Sequence, residues 1–552
     1  MTKIQRQVCG VAAMLAALAL QPANATIVPA PLFTDNAVLQ QKLPIPVWGA
    51  ADAKEPITVA INGQTAKTVA DASGAWSVKL SPIAAGGPYT LTITGTPNDT
   101  VTLNNILVGE VWICGGQSNM EFPLSRATTY ATAQAAANDP LLRYANVVHT
   151  VGLTPQKTVS VSWTIATPDT VGRTTAIGYF FARDLRAALK VPVGIINDNW
   201  GGTPAQAWTS KESLEAVPCL HHYLVEEDLY PSSYPLALLN YDNAIEKYNE
   251  NKTKLKAALE AAKAAGTPPP ALPQPPRKPD AYDRWPGGAA HLYNGMIAPV
   301  APYGIRGAIW YQGEANGGSG YEYKTLFPTM ISDWRKTWGE GDFPFLFVQL
   351  APYMAIKSEP LPKGANGWPD LREAQRATLS ILPNTGMAVI TDLGNSTDIH
   401  PRRKEPVGDR LALIALAQTY GQNVEYSGPV FDGIKVERSK VRVRFTHASG
   451  LKTIDVHDGF DDGPIVAPAA KLAGFEVAGK DGVYYAADTA AIDGNAVVVS
   501  SSSVKSPVAV RYGWANYPIA NLSNGAGLPA SPFKSDNWPW ASAPKDQKDA
   551  AK

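Results

Sequence analysis

Short apolar runs that each end in a cluster of glycines and polar residues are the strongest constraint on this chain. Ile106 to Ile113 runs into Cys114-Gly115-Gly116-Gln117-Ser118-Asn119-Met120. Val193 to Asn197 is followed by Asn199-Trp200-Gly201-Gly202-Thr203-Pro204. Gly307 to Gln312 leads into Gly313-Glu314-Ala315-Asn316. Phe345 to Leu350 and Met387 to Thr391 are further runs, the last followed by Asp392-Leu393-Gly394 and then Asp398-Ile399-His400-Pro401. Apolar runs this short, bounded by turn residues, read as buried strands. Helical stretches lie among them, at Thr175 to Leu185 and Leu371 to Ile381, and Val407 to Tyr420 follows the last run. Strands alternating with helices imply an α/β fold with a mostly parallel sheet. Such sheets carry their sites at the C-terminal strand edge, where these polar clusters would stand.

The flanks read differently. At 552 residues the chain is too long for one core, so several domains are expected. Lys3 and Arg6, the apolar run Val11 to Leu20 and Ala23-Asn24-Ala25 have the pattern of a signal peptide over residues 1–25. That predicts export to a bacterial periplasm or the extracellular space. Residues 26–105 alternate apolar and polar between turns such as Asn62-Gly63, and predict a β-sandwich. The α/β pattern spans 106–427, with an insertion near 249–283 made of a helix (Lys252 to Ala265) and a Pro-rich excursion (Gly266 to Pro279). Residues 428–540 return to β-rich patterning, and 541–552 read as a disordered polar tail.

Composition narrows the function. Lys plus Arg and Asp plus Glu both number 48, so there is no basic excess for a nucleic-acid partner. After residue 25 no stretch is apolar for long enough to span a membrane. No metal-ligand spacing is present, so no metal or cofactor is expected. Cys114 and Cys219 either pair or leave Cys114 as a buried free thiol.

Acyl transfer needs a nucleophile, a base, a group that orients the base, and donors for the oxyanion. Ser118, His400 and Asp398 supply the first three. The backbone N–H groups of Ser118 and of Gly201 or Gly202 are natural oxyanion donors, and the side-chain amide of Gln312 or Asn316 can add another. Alone, the Ser118 turn would equally be a strand end with a capping serine. Met120 stands where an α/β-hydrolase elbow has its second glycine, which disfavours that family. Trp200, Trp208, Trp310 and Tyr311 flank the blocks as sugar-stacking rings or as core. His149, His291, His447 and His457 have no partner pattern.

Together and in order, Cys-Gly-Gly-Gln-Ser-Asn-Met, Trp-Gly-Gly-Thr-Pro, Trp-Tyr-Gln-Gly-Glu-Ala-Asn and Asp-Ile-His-Pro resemble the blocks of the sialate O-acetylesterase-like branch of the SGNH hydrolases. Tyr512 to Pro518 and Gly527 to Phe533 are similar to that branch as well. The resemblance implies a flavodoxin-like three-layer sandwich flanked by β-rich domains. It implies a metal-free serine esterase that removes acetyl groups from carbohydrates, with Ser118 as nucleophile, His400 as base and Gly201 or Gly202 in the oxyanion hole. Two departures matter. Many SGNH enzymes place an Asn where this chain reads Gln312-Gly313-Glu314. The usual Asp three residues before the His is here Thr397. Asp398 is therefore the first choice of acid, with Asp392 and Glu314 as alternatives. Sialic acid, acetylated xylan and acetylated xyloglucan all fit as substrates. The lack of a dense arginine cluster beside the first three blocks favours the neutral plant polymers. The competing reading is a non-catalytic carbohydrate-binding protein with a vestigial esterase fold. A lipid esterase is disfavoured because no long apolar lid segment is present.

Overall fold

A computed structural model describes residues 27–96, 99–268, 274–357, 367–460 and 463–545. The expected signal peptide lies outside the described residues, as do 269–273 of the Pro-rich excursion and 546–552 of the tail.

One strand organises the molecule. Strand β1 (Thr100–Gly116) alternates exposed and buried residues at its start, then is buried without a break from Ile106. That switch is what a strand shows when it passes from a one-sided sheet into one covered on both faces. Its first half pairs antiparallel with Gly86–Thr94. Its second half lies parallel between two later strands. The boundary expected at 105/106 thus falls inside a continuous strand, and one hydrophobic core runs through both regions. Asn105, at φ 57°, marks the joint. The buried Arg143 guanidinium clamps it by donating to the carbonyl oxygen of Asn36 and to the Asn105 carbonyl and side chain.

Helix α1 (Ser118–Glu121) follows β1 directly. Strands β2 (Asp139–Asn146), β3 (Trp163–Ala166), β4 (Val193–Asn199), β5 (Gly307–Tyr311), β6 (Phe345–Val348) and β7 (Thr385–Ala388) complete the central sheet. Its order is β3-β2-β4-β1-β5-β6-β7. All neighbours are parallel except the edge pair β3 and β2. Without those two edge strands, which the sequence reading missed, the order is that of a 2-1-3-4-5 doubly wound sheet. The switch point lies between β1 and β5, and the C-terminal end of β1 delivers Ser118 to that edge. Strand β7 ends earlier than its apolar run suggested, because the Leu393 N–H turns back to the Ile390 carbonyl.

Helices cover both faces. Helix α2 (Ala176–Leu189) packs where Cys114 points: a Cβ on Gly178 would stand 3.0 Å from the Cys114 sulfur. The next residue along the strand, Gly115, faces Trp310 and Trp334, the latter on α4 (Gly320–Trp338). Helix α3 (His222–Ala265) lies between these two in sequence and is longer than expected. It runs through Pro231 and Pro235, and the Ser232 and Ser233 hydroxyls donate to the carbonyls of Leu229 and Tyr230 beside them. Helix α5 (Trp368–Ile381) pairs with α4, and α6 (Glu405–Ile414) pairs with α2.

From Val430 the chain forms two four-stranded sheets around a separate core that includes Val441, Val443, Val477 and Phe533. This region braces the loop that carries His400: Asp458 accepts from the Ser396 N–H at 2.7 Å and the Ser396 hydroxyl at 2.5 Å. The start of the expected tail is docked, not loose. Ser542 donates to Asp370 through N–H and hydroxyl at 2.7 and 2.5 Å.

Candidate active site

Two glycines set the turn that presents Ser118. Gly116 has φ 134°, and a Cβ there would lie 2.2 Å from the Tyr311 carbonyl oxygen. Only glycine allows both that backbone and the close approach of β5. The Trp200 N–H donates to the Gly116 carbonyl, which brings the second block alongside the first.

The histidine block arrives from the opposite side. His400 Nε2 lies 2.8 Å from Ser118 Oγ. Asp398 Oδ1 accepts from the His400 backbone N–H at 2.9 Å and stands 3.5 Å from ring Nδ1. Burial, then the Lys404 ammonium, holds the imidazole below its ordinary range, while Asp398 pulls it upward and Arg126 adds to the lowering. Burial and the Lys404 charge both favour the neutral ring, the form able to take a proton.

The two alternative acids are engaged elsewhere. Asp392 forms a two-pronged ion pair with Arg410, at 2.7 and 2.6 Å. Glu314 accepts from the Asn119 side-chain amide at 2.6 Å. Asp398 is the carboxylate that reaches His400.

The expected side-chain oxyanion donors are also corrected. Gln312 is fully buried and donates to Asn316 at 2.7 Å and to the Thr203 carbonyl at 3.3 Å. The Asn316 amide donates to Gln206, and its oxygen accepts from the Ala205 N–H. Both tie the second block to the third behind the site. Buried amides rarely forgo partners, and these find theirs in the scaffold. Trp208 and Tyr311 are fully buried core rings, as is Trp310. Trp200 is half-buried and stacks on His149, ring centres 4.2 Å apart. The two cysteines do not pair: Cys114 is buried and Cys219 exposed.

Of the two glycines expected there, Gly201 stands against Ser118. A Cβ on Gly201 would lie 3.2 Å from Ser118 Cβ, so any side chain there presses on the hydroxyl-bearing residue. Gly202 has open space but φ 76°. The Gly201 N–H donates to Glu121 at 2.6 Å.

Ser118 and His400 open onto a pocket of about 490 Å³. Its walls include Glu121, Arg126, Asn146, His149, Arg173, Asn197 and Asn199. In the sequence Asn199 stands only as the start of the second block and His149 only as a histidine without a partner pattern; the other five carry no site expectation. Asn197 and Asn199 had a usable signal, since residues two apart on a strand share a face. Asp198, between them, faces the other way, fully buried with neither oxygen hydrogen-bonded, and burial pushes its carboxyl up to about 8. Arg126 and Arg173 come from separate segments that no spacing rule joins. Both are exposed, and neither guanidinium has an acidic partner among the described residues.

Beneath Ser118 the character reverses. Asn119, fully buried, donates from its amide to Glu314 and, at 3.0 Å, to the Ile399 carbonyl. Its oxygen accepts from the Lys404 ammonium at 2.5 Å. Lys404 is itself buried, over the rings of Phe122 and Tyr311 at 4.9 and 5.5 Å. Burial pushes Lys404 down to about 7 and raises Glu314, and each partner opposes the other's shift. Among the described residues no three His, Cys, Asp or Glu side chains gather where a metal could sit. No helix there is long and apolar enough to cross a membrane.

Comparison with known proteins identifies the family. Residues 280–416 match the family profile described as carbohydrate esterase, sialic acid-specific acetylesterase. The rat sialate O-acetylesterase is 30% identical over 441 residues, covering 72% of this chain and 75% of the rat protein. The mouse sialate O-acetylesterase is 28% identical over 91% of this chain and 93% of its own length. A carbohydrate acetylesterase from Xanthomonas citri, known as a crystal structure, aligns with a TM-score of 0.73 and 37% identity, over 93% of this chain and all of that one. The chain belongs to the sialate O-acetylesterase-like carbohydrate esterases.

Proposed function

We propose that this carbohydrate O-acetylesterase works through an acetyl-enzyme on Ser118. The observation that carries the reading is the 2.8 Å approach of His400 Nε2 to Ser118 Oγ at the mouth of a polar pocket. Ser118 Oγ attacks the acetyl carbonyl carbon while His400 takes its proton. His400 then gives that proton to the departing sugar oxygen. Water, deprotonated by the same imidazole, attacks the acetyl-enzyme; His400 returns the proton to Ser118 Oγ as the ester bond breaks and acetate leaves. Asp398 steadies the imidazole. The Ser118 N–H, which has no acceptor within its own helix, and the Gly201 N–H receive the oxyanion. The 2-1-3-4-5 core supports an SGNH-type sheet, and the N-terminal 25 residues support export.

Two substrate readings rest on different observations. Arg126 and Arg173 face the pocket without acidic partners, which favours a sugar that carries a carboxylate, as sialate does. The equal counts of acidic and basic residues favour a neutral plant polymer such as xylan or xyloglucan. Acetate release is measured from an acetylated sialic acid, acetylated xylan and acetylated xyloglucan, with the wild type and Ser118→Ala. The expected result is a loss of at least about a thousandfold for the variant on whichever substrate is turned over. Equal rates would rule out the acetyl-enzyme.

A further inference from the structure

We propose that Lys404, Asn119 and Glu314 form a buried positioning unit that fixes the distance between Ser118 and His400 and places a cation beneath the imidazole. The proposal rests on the reading of Ser118 as nucleophile and His400 as base.

The connectivity carries it. Asn119 is the residue after the nucleophile, and Ile399 is the residue before the base. A single hydrogen bond of 3.0 Å, from the Asn119 amide to the Ile399 carbonyl, joins those two backbones. The second amide hydrogen goes to Glu314, in the loop after β5. The Asn119 oxygen receives Lys404, which sits just before α6. One buried amide therefore holds together the turn after β1, the loop after β5, the histidine loop and the start of α6. Both amide hydrogens and one lone pair of the oxygen are used, which fixes its rotamer. Replacing the oxygen or the nitrogen leaves a buried charge unpaired.

Glu314 and Lys404 meet only through Asn119. Each charge is desolvated, and the amide between them keeps them from collapsing into a direct ion pair. The Phe122 and Tyr311 ring faces supply further stabilisation for the ammonium. The arrangement keeps a positive charge close to His400 but out of solvent, where salt cannot screen it.

The charged and titratable groups facing His400 are Ser118 from the turn after β1, Asp398 from its own loop, Lys404 from the start of α6 and Arg126 from the loop after α1. Those facing Lys404 are Glu314, Asp398 and Arg126. Lys404 disfavours the imidazolium, and Glu314 helps to keep Lys404 charged. Neutralising either should therefore move His400 upward, Lys404 by more than Glu314.

The test is the pH dependence of kcat/KM for full-length Lys404→Met and Glu314→Gln, beside wild type and Ser118→Ala. Lys404→Met should shift the midpoint of the acid limb upward by about one pH unit. Glu314→Gln should shift it upward as well, by less, because Lys404 then loses its proton more readily. Both should lower kcat by about tenfold to a hundredfold with KM within about twofold, because the reacting pair is misplaced while the pocket is intact. A merely structural role would lower thermal stability and leave both midpoints at the wild-type value, and that result overturns the proposal. If Lys404→Met does not fold, the direction of the Glu314→Gln shift decides alone. An unchanged rate in Ser118→Ala would instead overturn the underlying assignment of the nucleophile, so the two failures are distinguishable.

Discussion

Two of the histidine–carboxylate pairs in this molecule differ in ways that bear on what would make one of them chemical. At the root of α3, His291 Nε2 lies 2.5 Å from Glu227, and its Nδ1 lies 2.7 Å from the Trp285 carbonyl. At the sheet edge, His400 Nδ1 stands 3.5 Å from Asp398 and Nε2 faces Ser118. The tighter pair is the inert one. The His291 side chain is 2% exposed against 32% for His400, and both its nitrogens are committed to fixed oxygens. A base must hold one nitrogen toward a group that can give up a proton, and must reach solvent or substrate. Short distances mark a staple, whereas an available nitrogen beside a hydroxyl marks a site.

Substituting each histidine should separate the two roles. His400→Ala should lose about a thousandfold or more in kcat/KM while unfolding at the wild-type temperature. Combined with Ser118→Ala it should lose little more, because the pair acts as a unit. Glu227→Ala should do the reverse. It strands His291 in the interior at a cost of about 3 kcal/mol, read from denaturant unfolding, with activity per folded molecule near wild type. A large loss of activity at unchanged stability in Glu227→Ala would break the contrast.

The acid limb of the wild-type pH profile sharpens it further. His400 is held below its ordinary range, chiefly by burial, so the proton leaves at lower pH than from a free imidazole. Activity should accordingly rise through a midpoint below about 6.5 and level off above it. A midpoint above that value would mean that the Asp398 carboxylate outweighs burial and Lys404.

Asp398→Asn is the next smaller effect. In tightly coupled triads loss of the carboxylate costs about ten-thousandfold. Here the side chain is half-exposed, and its short bond goes to the His400 backbone, not to the ring. A loss of about tenfold to a hundredfold in kcat is expected, smaller than for His400→Ala. A loss as large as that of His400→Ala would show that the pair tightens in the substrate complex.

What the sequence made legible follows from how local each signal was. The buried strands at Ile106, Val193, Gly307 and Phe345 declare themselves because apolar runs between turn residues leave few alternatives. Ser118, His400 and Asp398 stand in compact blocks, and the structure brings the three together. Gln312 and Asn316 stand in such a block too, yet they serve the scaffold, since a motif does not say which face its polar atoms take. Arg126, Arg173 and His149 line the pocket from separate segments, and only the folded chain joins them. Lys404 was hidden for another reason: a lysine four residues after a catalytic-looking histidine reads as a solvated charge until its burial is seen. Helix α3 outran its expected start at 252 because Pro231 and Pro235 ordinarily end a helix.

The smallest predicted effect concerns another carboxylate beside a histidine, Glu121. It lies 3.5 Å from His149 and accepts the Gly201 N–H at 2.6 Å. That N–H is the donor proposed for the acetyl oxyanion, so on that proposal the Glu121 carboxylate and the acetyl oxygen would compete for it. Removing the side chain frees the donor without touching Ser118 or His400. Glu121→Ala should therefore raise kcat/KM for a small ester such as p-nitrophenyl acetate by about twofold to fivefold, mostly through KM. If the ratio falls instead, Glu121 holds the glycine turn in its working shape, and that support outweighs the competition.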